Sequence, residues 1–168
     1  MDTSAVLPVS PTRTAMTMGA VIAALMLVVF TLGWQTLGWF VFIGGIYYGM
    51  CRFRKEKSGS ISYSTALYAG MQTAFFTSVI LAFTGYVTTT LNPSLIVAML
   101  DAMEQQLLAS GFPSELMETA MQQWRKIFSP LVFAIIIIFT YTSIGVFVSI
   151  ICALFVRKEP VRKLAGEF

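Results

Sequence analysis

Apolar and polar residues along this chain separate into long blocks instead of alternating. No Asp, Glu, Lys or Arg occurs between Arg13 and Arg52, a stretch of 38 residues, between Lys57 and Asp101, 43 residues, or between Lys126 and Arg157, 30 residues. A bilayer core about 30 Å thick is crossed by about 20 helical residues. The three stretches therefore have room for two, one and one spans. The first is divided by Gly33-Trp34-Gln35-Thr36-Leu37-Gly38-Trp39. Its glycines permit a tight reversal, and its tryptophans suit a membrane–water boundary. The pattern predicts spans over 15–33 and 37–51, a third over 61–91 stopped by Asn92-Pro93, and a fourth over 130–156. Ser129-Pro130 supplies an N-cap and a first-turn proline for the fourth.

Residues 94–128 have a different period. Ile96, Met99, Leu100, Met103 and Leu107 recur at helical spacing, with Asp101, Glu104 and Gln105 on the other side. After Ser110-Gly111 and Pro113, a second face carries Met117, Ala120, Met121, Trp124 and Phe128, with Glu115, Glu118, Gln122 and Arg125 turned away. Two amphipathic helices are implied, joined by a glycine stop and a proline start. The predicted fold is all-α: an integral-membrane four-helix bundle with an extramembrane amphipathic helical hairpin, residues 94–128, between the third and fourth spans. Residues 1–14 read as a flexible cytoplasmic tail and 157–168 as a basic cytoplasmic tail around one membrane domain, 15–156.

Charge sets the expected orientation. Arg52, Arg54, Lys55 and Lys57 cluster between the second and third helices, and Arg157, Lys158, Arg162 and Lys163 follow the last. With four spans, the two tails and the 52–60 loop share nine Lys and Arg, against two in the turn and 92–128. Both termini are then cytoplasmic. A three-span arrangement places the tails on opposite sides and requires one 38-residue helix through the bilayer, so four spans are the better expectation. The same clusters explain a net charge of +3 without nucleic acid as a partner, since no aromatic-basic groove accompanies them.

Chemistry enters mainly through what is missing. The chain has no histidine, which excludes His-based acid–base catalysis, a Ser-His-Asp triad and most zinc or iron sites. Cys51 and Cys152 read as buried free thiols. No predicted span contains a charge, which argues against ion-coupled transport. Small residues recur every fourth position: Gly45 and Gly49; Ala66, Gly70, Ala74 and Ser78; Gly145 and Ser149. Such ridges bring helix backbones together in lipid, either within the bundle or between copies. Gln72, Thr142 and Ser143 are candidates for a polar path, or else hydrogen-bond neighbouring helices. Asp101, Glu104, Glu115 and Glu118 read as a solvated acidic face, with a loose divalent-cation site as the sharper alternative.

The order of features resembles a known family. A two-helix hairpin and a short basic loop precede Ile61-Ser62-Tyr63-Ser64-Thr65-Ala66; Leu91-Asn92-Pro93, Gly111-Phe112-Pro113-Ser114 and Ser129-Pro130 follow, then a basic tail. Over about residues 13–160 this is similar to the bacterial membrane-protein family catalogued as domain of unknown function 4199. The resemblance implies a bacterial inner-membrane location and four spans, and transfers no catalytic residue. The expectation is a non-enzymatic structural, accessory or partner-binding bundle without cofactor or metal. Its partners would be the lipid bilayer and a second copy or another membrane protein. The alternative is a small-solute channel or uncoupled permease acting as an oligomer.

Overall fold

The structure is a computed structural model that describes residues 11–57, 59–111 and 113–157. Among them are six α-helices: α1 (Pro11–Thr31), α2 (Gln35–Glu56), α3 (Tyr63–Leu91), α4 (Ser94–Ala109), α5 (Ser114–Ile127) and α6 (Pro130–Val156). Residues 11–14, expected in the N-terminal tail, form the first turn of α1. The rest of that tail, Lys158 and the remainder of the C-terminal tail lie outside the described residues.

Three helices among the described residues are long and apolar enough to cross a membrane: Thr12–Thr31, Tyr63–Leu91 and Pro130–Val156. The expected four-span bundle with a hairpin is thus corrected to six helices, three of spanning length and composition. The 38-residue charge-free stretch does break at the predicted turn, where Gly33 adopts φ +76°, but α2 does not qualify as a span. Its apolar stretch, 37–51, is 15 residues, which reach only about 22 Å, and Gly38, Gly44, Gly45, Gly49, Tyr47 and Tyr48 dilute it. The remainder of its 22 residues includes Gln35 and the Arg52–Glu56 end. The placement of both termini on one side no longer follows from the span count, although Thr14 bonds Glu56 and Arg54 bonds Val156 at one end of the first unit.

The chain divides into two compact units. One runs to Ile80 and resumes at Thr140; the other is Leu81–Phe139. In the first, α1 and α2 form an antiparallel hairpin, in which Phe30 faces Gly38, Ile22 faces Gly45 and Met18 faces Gly49. Its open end is closed by the Thr14 hydroxyl, which donates to Glu56 at 2.6 Å. α3 runs parallel to α1, with Gly19 against Phe76 and Thr77. α6 runs antiparallel to α3, with Ser149 against Gly70, Ala74 against Gly145 and Thr142 against Ser78. Ile22, Met26, Phe42, Ile46, Met50 and Phe53 fill the centre, all buried.

The second unit pairs α4 with α5 around Ile96, Leu100, Met117 and Met121, with Leu107 and Phe128 packed against them. The 94–128 periodicity located these inward residues. Met99 and Trp124, assigned to the same faces, are instead 43% and 42% exposed. Gly111, at φ +85°, makes the turn between the two helices. Ser129 accepts a bond from the Val132 N–H at 3.3 Å and so caps α6 as its sequence suggests.

Candidate functional site

The small-residue positions sit where helices come closest. A side-chain carbon placed on Gly45 meets Ile22, one on Gly70 meets Met50 and Ser149, and one on Gly145 meets Ala74. At Gly49 the neighbours, Thr73 and Met18, stand at ordinary distances of 3.6–3.7 Å. Ala66, Ala74, Ser78 and Ser149 are buried. Side chains no larger than a hydrogen, a methyl or a hydroxymethyl at such sites are what allow backbones to approach. Gly44 differs from these, with nothing within 4 Å.

The polar-path candidates are not brought together. The Gln72 amide N–H donates to Tyr68 Oη at 3.1 Å, on its own helix, and to Thr12 Oγ1 at 3.4 Å, on α1. Thr142 shares a hydrogen bond with Ser78 at 2.9 Å. Gln72 and Ser78 are about 9 Å apart along α3 and on different faces. Ser143 is exposed. Other hydroxyls are satisfied within the helices: Thr73 donates to Ala69 O, and Thr77 donates to Thr73 O and to Gly19 O of α1. Ser149 Oγ is buried without a partner, as is Gln72 Oε1. None of this could be ranked from sequence, where all hydroxyls in an apolar run look alike.

The basic residues divide by partner. Arg54 donates to the backbone carbonyl of Val156 at 3.2 Å, satisfying one of the carbonyls that the end of α6 leaves unpaired. Arg52 contacts Glu56 at 3.4 Å and Met18 Sδ at 3.7 Å. Lys57 stands 5.9 Å from the centre of the Phe53 ring, while Lys55 and Arg157 are exposed. Tyr141 stacks on Trp39 with ring centres 5.5 Å apart and meets the edge of Phe42 at 5.4 Å.

The second unit holds an ion pair between its two helices and a cleft. Arg125 Nη2 of α5 donates to Asp101 at 2.7 Å and lies 3.6 Å from Glu104, both on α4. The expected acidic face is therefore partly neutralised by a cation from the facing helix, which a one-helix wheel does not reveal. Glu115 and Glu118, the other half of that face, have side chains outside the described residues. No group of three or more His, Cys, Asp or Glu that would hold a metal ion occurs among the described residues. Beside Arg125 is an open cleft of about 550 Å³, lined by Thr89, Thr90, Ile96, Val97, Leu100 and Phe128 among others. Thr89 and Thr90 donate their hydroxyl protons back to α3 carbonyls, so those walls offer no free donor.

This is a mostly helical, membrane-embeddable protein in which the described residues assemble no evident catalytic or metal-binding constellation. No curated protein and no solved structure matches the chain. One family model, described as a protein of unknown function (DUF4199), matches residues 13–158, and over that greater part of its length the chain belongs to that family.

Proposed function

We propose that this protein is a non-enzymatic, multi-pass protein of a bacterial inner membrane that acts by binding a partner through its α4–α5 pair. The observation that carries this reading is where reactive and charged groups lie. Inside the first unit Thr14, Thr17, Thr31, Thr73, Thr77 and Ser78 donate to a neighbouring helix or to a carbonyl of their own. In the second, Asp101, Glu104 and Arg125 are half-exposed beside an open apolar cleft. A surface mixing exposed charge with unfilled apolar area is suited to recognition.

The orientation follows from α3 and α6 as spans. Arg52, Arg54, Lys55 and Lys57 precede α3, against Arg125 and Lys126 in the segment between α3 and α6. The positive-inside rule then puts the former in the cytoplasm and α4–α5 on the outer side. Single cysteines at Lys57 and Ser110, in a chain with Cys51→Ser and Cys152→Ser, label from opposite faces of inverted and right-side-out vesicles. Labelling from one face defeats the orientation. A photo-crosslinking residue at Gln105, used in cells, yields a discrete protein adduct that Asp101→Ala with Glu104→Ala abolishes. Adducts to lipid alone remove partner binding.

A further inference from the structure

Both ends of the α4–α5 pair are tethered to membrane-crossing helices by very short links. Asn92 and Pro93 separate α3 from α4, and Phe128 and Ser129 separate α5 from α6. A link of two residues reaches at most about 10 Å. α3 and α6, with 29 and 27 residues, are about 44 and 40 Å long, close to the ~40–45 Å of a bilayer with its headgroup layers. The first turn of α4 and the last turn of α5 are thus held at the membrane boundary.

α4 has more apolar surface than α5 covers. Ile96 and Leu100 are buried between the two helices. Leu95, Ala98, Met99 and Ala102 recur at helical spacing on a second strip about 120° round the helix, and all four are exposed, Leu95 at 37% and Met99 at 43%. Asp101, Glu104 and Gln105 occupy the remaining side, with Val97 and Leu108 exposed among them. At the root of the pair, next to the two short links, Leu91, Ile127 and Leu131 are likewise exposed, at 80%, 62% and 61%. Leu91 and Leu131 belong to helices long and apolar enough to cross a membrane, so the root of the pair carries exposed apolar side chains of the kind that suit acyl chains. The last turn of α5 adds Trp124, Arg125 and Lys126, an aromatic and two cations of the kind that settle at headgroup level.

We propose that α4 reclines in the lipid–water interface of the leaflet where α3 ends. Its Leu95–Ala98–Met99–Ala102 strip faces acyl chains, and Asp101, Glu104 and Gln105 face water. The occupant of the strip is lipid, as in interfacial amphipathic helices. The proposal requires only that α3 and α6 cross the membrane, and it stands or falls apart from partner binding: the strip is lipid-facing while the acidic side remains free.

The test uses the full chain with Cys51→Ser and Cys152→Ser in vesicles of phosphatidylethanolamine and phosphatidylglycerol. Nitroxides are attached to single cysteines at Ala98, Met99, Asp101, Ala102 and Gln105. Collision rates with oxygen and with a water-soluble nickel chelate then report the surroundings. Positions 98, 99 and 102 should favour oxygen, at about 5–10 Å below the headgroup boundary, while 101 and 105 favour nickel. Equal nickel access at all five overturns the proposal, because the pair then stands in water. Exclusion of both reagents at 98, 99 and 102 also overturns it, because protein then covers the strip. If cysteine variants misfold, Met99→Trp in a chain with Trp34→Phe, Trp39→Phe and Trp124→Phe serves instead. Quenching by brominated acyl chains is expected; quenching by aqueous acrylamide alone refutes the proposal.

Discussion

Replacing Gly145 by alanine isolates the contribution of close helix approach. An added methyl on α6 runs into the Ala74 methyl on α3, with Phe42 Cζ at 3.4 Å and the Ala74 Cα at 3.6 Å. Ala74 has no rotamer to change, so relief requires the α3 and α6 backbones to separate. Gly38 presents the opposite case, because its obstruction is the rim of the Phe30 ring, with Cε1 at 2.6 Å, and that ring can swing. A methyl added at Gly44 meets no neighbouring helix within 4 Å. Overpacking of a rigid site costs about 1–3 kcal/mol, and the higher helix propensity of alanine returns up to about 1 kcal/mol. Gly145→Ala should therefore lose about 1–2 kcal/mol, a factor of roughly 5–30 in the folding equilibrium. Gly44→Ala should lose nothing. The assay is reversible unfolding by dodecyl sulfate in mixed micelles, followed by near-ultraviolet dichroism of Trp39 and Tyr141, whose rings stack at 5.5 Å. If Gly145→Ala is no less stable than Gly44→Ala, then α3 and α6 are not in contact at this level, and the ridge argument fails.

The other tests probe the polar contacts and the second unit. A double-mutant cycle on Ser78→Ala and Thr142→Val should give a coupling of about 0.6 kcal/mol, typical of side-chain hydrogen bonds between membrane helices; zero coupling removes the bond. Ser149→Ala deletes a buried hydroxyl that has no partner, so stability should hold or rise by up to about 1 kcal/mol, and a loss of that size contradicts the geometry around Gly70. Leu100→Ala empties part of the cluster shared with Ile96, Met117 and Met121. It should cost about 2 kcal/mol or more, seen as faster hydrogen exchange in α4 and α5 with α1 and α2 unchanged.

How much was legible in the sequence varies by feature, and for identifiable reasons. Helix ends carried by backbone chemistry were readable: Asn92-Pro93 lies between α3 and α4, and Ser129-Pro130 opens α6 at Pro130. The inward positions Ile96, Leu100, Met117 and Met121 were readable from a 3.6-residue period. The span count was misjudged because absence of charge was taken as a span, whereas 37–51 is too short and too rich in glycine and tyrosine to meet that standard. The family resemblance carried the same four-span expectation and reinforced the error. Membership of the family itself needed only the order of these features, and the match over 13–158 bears it out.

By itself, then, the sequence determined a helical membrane protein, its turn residues and the chemistry excluded by the lack of histidine. These properties are local or compositional. Tertiary structure decided which small residues meet a neighbour, so that Gly145 is pressed on Ala74 while Gly44 is open, a distinction no spacing contains. It also decided partners: Arg54 with the end of α6, Arg125 with Asp101 and Glu104, and Thr142 with Ser78. A helical period states which side of one helix a residue is on. Which helix faces that side depends on how the whole chain packs, and the polar groups are satisfied only there.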